Sequence, residues 1–166
     1  MPLRLFLLTL TMLACAGCDQ VAKAIARGAL ASSPPVTLLG GAVRLVYTEN
    51  PGAFLSLGAD LPPGVRFLVG VVFVAAALST LLVFTLRTAS LAFGQKAGLI
   101  LILGGGLGNL IDRLVNHGQV IDFVSLRLGP FHTGIFNLAD VAITAGVLMV
   151  FLSSFRKAEP DPEPAE

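Results

Sequence analysis

Two aspartates in the second half of the chain stand in apolar surroundings. Asp122 is flanked by Ile121 and Phe123, and Asp140 is followed by a long uncharged run. Burial raises the pKa of a carboxyl group, and a second carboxylate nearby raises one of the two pKa values further. If the pair met, the two acids would share one proton, as in an aspartic protease, where one carboxylate activates water and the other protonates the scissile carbonyl. A pair that carries protons or ions across a membrane would use the same residue types.

Other polar residues recur at helical spacing. Asp19 and Lys23 are four residues apart, so they share a helix face and can pair, although such a pair could do no more than help a helix to leave the membrane. Asn109 and Arg113 have the same spacing. The planar fork of Arg113 can hold a carbonyl or a phosphate, and an anchor at the membrane interface is the alternative. For Asp112, between them, we expect a paired or solvated structural role.

Nothing in the sequence indicates a metal, a cofactor or a nucleic-acid partner. Cys15 and Cys18 form a C-x-x-C pair, but the two histidines, His117 and His132, lie far away in sequence. The glycines of residues 104–108 lie inside an apolar run and lack the strand–loop–helix context of a nucleotide site, so they favour close helix packing. The net charge of +1 gives no reason to expect nucleic acid.

The first 18 residues resemble a secretory signal that ends in a lipoprotein processing box at Cys18. Such a box normally has an aliphatic residue where Cys15 stands. A lipoprotein also normally continues as a soluble domain, whereas this chain continues as a membrane protein. We therefore expect the first apolar run to remain attached.

The composition indicates lipid as the solvent for much of the chain. Of its 166 residues 55% are hydrophobic and only 13% are charged, against about 25% charged residues in a typical soluble domain. A helix needs about 20 apolar residues to cross a bilayer. The candidate spans are residues 3–18, 67–86, 97–111 and 136–155. The sequence predicts an all-α integral membrane protein with four transmembrane helices.

The links between these spans predict a small β-rich extracytoplasmic element. Residues 43–48 and 120–124 are β-prone and lie in the first and third links. With four spans, the ends of the first and third spans, the start of the fourth and both of these links lie on one side of the membrane. The polar residues assigned to that side are Asp19, Lys23, Asn50, Asn109, Asp112, Arg113, Asp122, Asn137 and Asp140.

The opposite side carries basic residues without acidic ones and is assigned to the cytoplasm. It receives Arg4, Arg87, Lys96, Arg156 and Lys157, with no acid before the C-terminal tail. Six further basic residues fall on the first side: Lys23, Arg27, Arg44, Arg66, Arg113 and Arg127. Residues 1–157 are read as a single membrane-embedded domain. Residues 158–166, in which proline and acidic residues alternate, are expected to be a disordered tail.

Five motifs in order resemble those of one family. They are DQxxK at residues 19–23, NxGA at 50–53, GGLGNLxDR at 105–113, VIDF at 120–123 and FNxAD at 136–140. Each is weak alone, but together, on a chain with four predicted spans, they make it resemble the lipoprotein signal peptidases, or signal peptidase II, over roughly residues 3–155. One departure is Phe54, which stands where the family commonly has a small residue and puts the shape of the substrate groove in doubt.

The resemblance implies a metal-free aspartic endopeptidase of the bacterial inner membrane, with both termini cytoplasmic and the active site on the outer side. Its substrates would be diacylglyceryl-modified prolipoproteins, cut before the lipidated cysteine, and we expect a monomer in contact with membrane lipid. Asp122 and Asp140 correspond to the catalytic pair. The residues that correspond to substrate-binding or supporting positions are Asn50, Gly52, Asn109, Arg113, Asn137, Asp19 and Lys23. The alternative from the residues alone is a small proton- or ion-coupled transport protein, whose carboxylates should lie near the membrane midplane.

Overall fold

A computed structural model describes residues 2–52 and 58–155, with side chains from Phe6 onward. Phe54 and the tail at 158–166, on both of which the sequence made a prediction, lie outside these ranges. The described residues form four helices and a four-stranded sheet. In chain order these are α1 (Pro2–Leu30), β1 (Val36–Leu38), β2 (Val43–Asn50), α2 (Pro63–Arg87), α3 (Phe93–Val115), β3 (Val120–Leu128), β4 (Phe131–His132) and α4 (Leu138–Ser154).

Three helices among the described residues are long and apolar enough to cross a membrane: Phe6–Leu30, Pro63–Arg87 and Phe93–Val115. The helix α4 is apolar too but has 17 residues, the lower end of the length that spans hydrocarbon. An integral membrane protein is therefore confirmed, and four crossings remain a prediction. The first helix runs well past residue 18, where the hydropathy pattern ended it, so Asp19 and Lys23 lie within α1.

Glycines let the helices pack closely around α3, as the sequence predicted. A Cβ atom added at Gly98 would lie 2.6 Å from the carbonyl oxygen of Gly146 on α4, and one added at Gly104 would lie 2.7 Å from Cβ of Cys15 on α1. Real side chains do not approach so closely, so only glycine permits these backbone separations. Cys15 is a packing residue in the contact between α1 and α3.

The two β-prone segments of the sequence are confirmed as strands, and they pair with each other. The sheet is antiparallel with strand order β1-β2-β3-β4. Thr48 of β2 lies opposite Asp122 of β3, and the register shifts at a bulge between Leu45 and Thr48. Asn50 is two residues beyond Thr48 and therefore lies on the same face of the sheet as Asp122.

Candidate active site

The chain enters α4 directly beside β3, and this brings the two candidate acids together. Phe136 is bridged to Val124 by two backbone hydrogen bonds, Phe136 N to Val124 O at 2.8 Å and Val124 N to Phe136 O at 2.9 Å. Asn137 follows Phe136 and begins the turn into α4. Because Phe136 is bonded to β3, Asn137 lies next to Asp122. Asp140 follows in the first turn of the same helix.

Asp122 is buried, with 3% of its surface exposed. Both of its carboxylate oxygens accept side-chain amide hydrogen bonds, from Asn50 Nδ2 at 2.9 Å and from Asn137 Nδ2 at 2.7 Å. Burial raises the pKa of Asp122 to about 6; the negative charge of Asp140 adds to this rise and the two amide donors oppose it. Asp122 can therefore hold or release a proton close to neutral pH.

Asp140 occupies the third position of α4, where it forms a capping box with Asn137. Asn137 Oδ1 accepts from the backbone N–H of Asp140 at 2.9 Å, and Asp140 Oδ2 accepts from the backbone N–H of Asn137 at 3.2 Å. Asn109 Nδ2 donates to the other oxygen of Asp140 at 3.0 Å. The positive end of the helix dipole stabilises an anion at this position. Asn137 thus contacts both candidate acids, through its side-chain amide and through the cap.

Arg113 joins α3 to the turn after β2. Its Nη2 donates to the carbonyl oxygen of Gly52 at 3.2 Å, and its Nη1 donates to that of Asn109 at 3.3 Å. Gly52 N in turn donates to Asn50 Oδ1 at 3.0 Å, which leaves the Asn50 amide nitrogen to face Asp122. The helix α2 contains a π-helical segment beside this arginine. A Cβ added at Gly70 in that segment would lie 3.2 Å from the Arg113 side chain.

Lys23 is the centre of a buried ion cluster, with 1% of its surface exposed. Its ammonium nitrogen lies 2.7 Å from Asp19 Oδ2, 2.9 Å from Asp112 Oδ2 and 2.9 Å from Asn109 Oδ1. These three acceptors match the three protons of a lysine ammonium. Asp19 Oδ1 also accepts from the backbone N–H of Ala139 at 2.9 Å, so α1 binds the N-terminus of α4.

The structure assigns more to Asp112 than the paired or solvated role that the sequence suggested. Asp112 is buried, with 2% exposure, and it is paired with Lys23. Its Oδ2 also accepts from the backbone N–H of Ile121 at 2.9 Å, one residue before Asp122, and its Oδ1 accepts from Gln20 Nε2 at 2.8 Å. Gln20 and Asp112 stand within two of the sequence motifs, but the sequence predicted a positioning role for neither residue. The only available signal was their place in those motifs.

A cavity of about 380 Å³ borders Asp140 and is lined by residues of α2, α3 and α4. Its polar end consists of Asn109, Arg113 and Asp140, and its walls are apolar except for Thr144. Residues of α4 at its far end are themselves exposed, so it opens toward the lipid. The remaining lining residues are Val74, Gly106, Ile143, Thr144, Val147 and Leu148.

All nine residues that the sequence singled out meet in one continuous hydrogen-bonded network. In order of contact it runs Asp19, Lys23, Asn109, Asp140, Asn137, Asp122, Asn50, Gly52 and Arg113. Within residues 2–52 and 58–155, no group of three or more histidine, cysteine or acidic residues is arranged to hold a metal ion. What the network offers chemically is a pair of linked carboxylates beside an arginine and a lipid-facing cavity.

Comparisons with known proteins show which family the chain belongs to. The family model described as signal peptidase (SPase) II matches residues 11–156. The lipoprotein signal peptidase of Syntrophus aciditrophicus is 32% identical over 158 residues, which cover 94% of this chain and 95% of that protein. The lipoprotein signal peptidase of Vibrio vulnificus is 38% identical over 116 residues, which cover 69% of this chain and 67% of that protein.

Two solved structures described as bacterial membrane enzymes have the same fold. Their TM-scores are 0.73 and 0.75 at 23% sequence identity, and the matches cover 93% and 91% of this chain and 94% of each of theirs. The fold therefore agrees with the relationship that the sequence matches establish. The chain belongs to the signal peptidase II family, the lipoprotein signal peptidases.

Proposed function

We propose that this chain removes signal peptides from prolipoproteins as an aspartic endopeptidase, with Asp122 and Asp140 as its catalytic pair. Membership of the family supports the peptidase activity. The aspartic mechanism rests on one observation, the double contact of Asn137. Its amide donates to Asp122 at 2.7 Å, and its oxygen accepts from the backbone of Asp140 at 2.9 Å. This shared contact supports a mechanism in which the two acids act on one water molecule and one peptide bond.

The surroundings of the two acids favour different roles for them. Asp140 stands in the first turn of α4 and borders the cavity, so a water molecule and a peptide bond in the cavity can reach it. We assign to Asp140 the removal of a proton from water as the water attacks the scissile carbonyl carbon. Asp122, whose pKa burial raises to about 6, is the member that gives its proton to the carbonyl oxygen. As the carbon–nitrogen bond of the gem-diol intermediate breaks, Asp140 gives its proton to the leaving amine and a hydroxyl of the intermediate gives its proton to Asp122, so the pair again holds a single proton.

The shape of the cavity supports a substrate that arrives within the bilayer. Its polar end, at Asn109, Arg113 and Asp140, suits a peptide bond, and its apolar walls between α2 and α4 suit a signal helix or acyl chains. This agrees with a diacylglyceryl-modified precursor that is cut before its lipidated cysteine. Arg113 can also donate to a substrate carbonyl, because its guanidinium has five N–H donors and the carbonyls of Gly52 and Asn109 use only two of them.

The proposed topology has four crossings of the bacterial inner membrane, with both termini cytoplasmic and the active site on the outer side. The 17 residues of α4 extend about 25 Å, and the turn before it adds to the crossing. We propose a monomer, since the network is complete within one chain. A transport role is disfavoured, because Asp122 lies in a strand and the network gathers at one end of the helices.

The decisive experiment incubates the purified protein with a diacylated precursor and measures release of the signal peptide. Asp122→Asn and Asp140→Asn keep the shape of each side chain but cannot share a proton as carboxylic acids, so both are expected to abolish cleavage. Asp60→Asn, the same change in an exposed loop, should leave cleavage unchanged. We also expect full activity in EDTA. Cleavage at the parent rate by either dyad variant would remove that residue from the mechanism.

A further inference from the structure

The end of the sheet farthest from Asp122 is formed by two turns that lie side by side. One turn follows β1, and the other joins β3 to β4. Val43 pairs with Leu126, and the backbone N–H of Arg127 donates to the carbonyl oxygen of Ala42 at 2.8 Å, which holds the turns together. We call this end the sheet tip and define it as residues 38–44 and 126–132.

The sheet tip exposes large apolar side chains. The exposed fraction is 80% for Leu39, 77% for Leu128 and 77% for Phe131. Leu39 has a φ of 51°, a left-handed backbone that leucine rarely adopts. Clustered apolar side chains of this kind mark surfaces that bind lipid or another protein, because a water-facing turn would carry polar residues instead. The three exposed side chains from two turns therefore indicate that lipid or another protein covers the sheet tip.

The charge of the sheet tip indicates which of these, lipid or protein, the tip binds. Residues 38–44 and 126–132 contain Arg44, Arg127 and His132 and no acidic residue. Across β3 and β4 Arg127 lies opposite His132, and Leu128 lies opposite Phe131. Because successive side chains of a strand point to opposite faces, the basic pair lies on one face of the sheet tip and the apolar pair on the other. An element with one apolar face and one basic face is the pattern of a segment that lies in the membrane interface, where arginine binds anionic lipid headgroups.

The position of the sheet relative to the helices brings lipid within reach. Apolar side chains are exposed near the outer ends of two helices, at Ile25 (65%) on α1 and Val115 (69%) on α3, so the hydrocarbon extends that far. The sheet is attached at this level. Arg27 on α1 donates to Asn116 Oδ1 at 2.6 Å and to the hydroxyl of Tyr47 on β2 at 3.2 Å. From Tyr47 to the start of β2 is about 13 Å of extended strand.

We propose that the sheet tip inserts Leu39, Leu128 and Phe131 into the outer leaflet and binds anionic headgroups through Arg44 and Arg127. The sheet would then be held at two points, by the helices at one end and by lipid at the other. Because β3 runs from the tip to Asp122, the lipid contact would hold one of the candidate catalytic acids at a constant depth. This inference depends on the membrane location of the chain and not on its peptidase activity.

The absence of tryptophan from the chain gives a direct test. Phe131→Trp introduces a single fluorophore at the sheet tip with little change in shape. The full-length variant is placed in nanodiscs of phosphatidylcholine mixed with phosphatidylglycerol, with or without bromine on the lipid acyl chains. We expect a blue-shifted emission and loss of most of the fluorescence with brominated lipid. Ser33→Trp, in the exposed turn after α1, is the matched control and should emit as a water-exposed tryptophan.

Each other outcome argues against the proposal. An emission from Trp at position 131 that equals the Ser33→Trp control would leave the tip in water. A blue-shifted emission that brominated lipid does not quench would mean that protein, such as a second copy of the chain, covers the tip. The headgroup contact is tested by omitting phosphatidylglycerol, which should reduce quenching, and by Arg44→Gln combined with Arg127→Gln, which should remove that dependence. Quenching that is the same with and without the anionic lipid would overturn the role of the arginines.

Discussion

Lys23 holds the side-chain amide of Asn109 in one orientation, with its Nζ 2.9 Å from Asn109 Oδ1. The amide nitrogen of Asn137 donates to the same oxygen at 3.1 Å. Because that oxygen accepts from both, the nitrogen of Asn109 faces Asp140, to which it donates at 3.0 Å. A lysine on the first helix therefore determines which atom of Asn109 meets a candidate catalytic acid on the last.

Replacing this lysine should destabilise the protein. Lys23→Met leaves Asp19 and Asp112, with 0% and 2% exposure, without their shared cation. Removing one partner of a buried ion cluster typically costs about 3–5 kcal/mol, so we expect a lower midpoint of thermal unfolding in detergent. Lys96→Met, at a more exposed site whose ammonium contacts only a backbone carbonyl, is the control. Equal unfolding midpoints for the two variants would mean that the ion cluster does not stabilise the protein.

The pH dependence of cleavage should report the raised pKa of Asp122. The charged groups around Asp122 are Lys23, Asp112, Arg113 and Asp140. Protonated Asp122 is the proposed donor, so kcat/KM should fall as pH rises through about 6, the value that burial gives this group. Because the two acids interact, the midpoint belongs to the pair. A profile that stays flat from pH 5 to pH 8 would contradict a required proton on Asp122.

The same group should make stability depend on pH. The pKa of Asp122 rises on folding from 3.8 to about 6, so its contribution is complete below about pH 4 and is lost as pH rises through 6. The loss amounts to about 3 kcal/mol. Asp122→Asn cannot titrate at this position. As pH rises through this range, the unfolding midpoint of the parent protein should therefore fall relative to that of the variant. A difference that does not vary with pH would mean that Asp122 keeps its ordinary pKa.

Loss of the guanidinium of Arg113 should slow cleavage. Arg113→Ala removes donors to the carbonyls of Gly52 and Asn109 and a charged group at the polar end of the cavity. Hydrogen bonds from a charged donor contribute about 1.5–3 kcal/mol, so we expect kcat/KM to fall by roughly 10- to 100-fold. Arg87→Ala, at the opposite end of α2, should cleave normally. Unchanged turnover in Arg113→Ala would restore the reading of this residue as an interfacial anchor.

Close packing between α3 and α4 should tolerate no added methyl group. In Gly146→Ala the new Cβ would lie 2.5 Å from the carbonyl oxygen of Gly98, so the helices must separate. Overpacking of this kind costs about 1–3 kcal/mol, which should lower the unfolding midpoint. Gly17→Ala makes the same change on α1, where nothing lies within 4 Å, and should be neutral or slightly stabilising. Equal midpoints for the two variants would mean that α3 and α4 are less closely packed.

Local patterns in the chain already define much of the molecule. Runs of apolar residues indicate lipid and locate the helices, and the β-prone segments at 43–48 and 120–124 locate two of the strands. Both properties depend on neighbours within a few residues, so the sequence displays them directly. Local patterns do not locate the helix ends equally well. The helix α1 continues through Asp19 and Lys23, whose polarity in the sequence suggested that the span had ended.

The amino-acid sequence by itself determined the membrane environment, the kinds of elements and, through motif resemblance, nine candidate site residues. Only the tertiary structure decided which of their atoms meet. The contact of Asp19 with the backbone of Ala139, the position of Asp112 behind Ile121 and the orientation of Asn109 join residues from different helices and strands. Hydrogen bonds form only within narrow limits of distance and angle, and those limits are met by helix packing and strand register rather than by spacing along the chain.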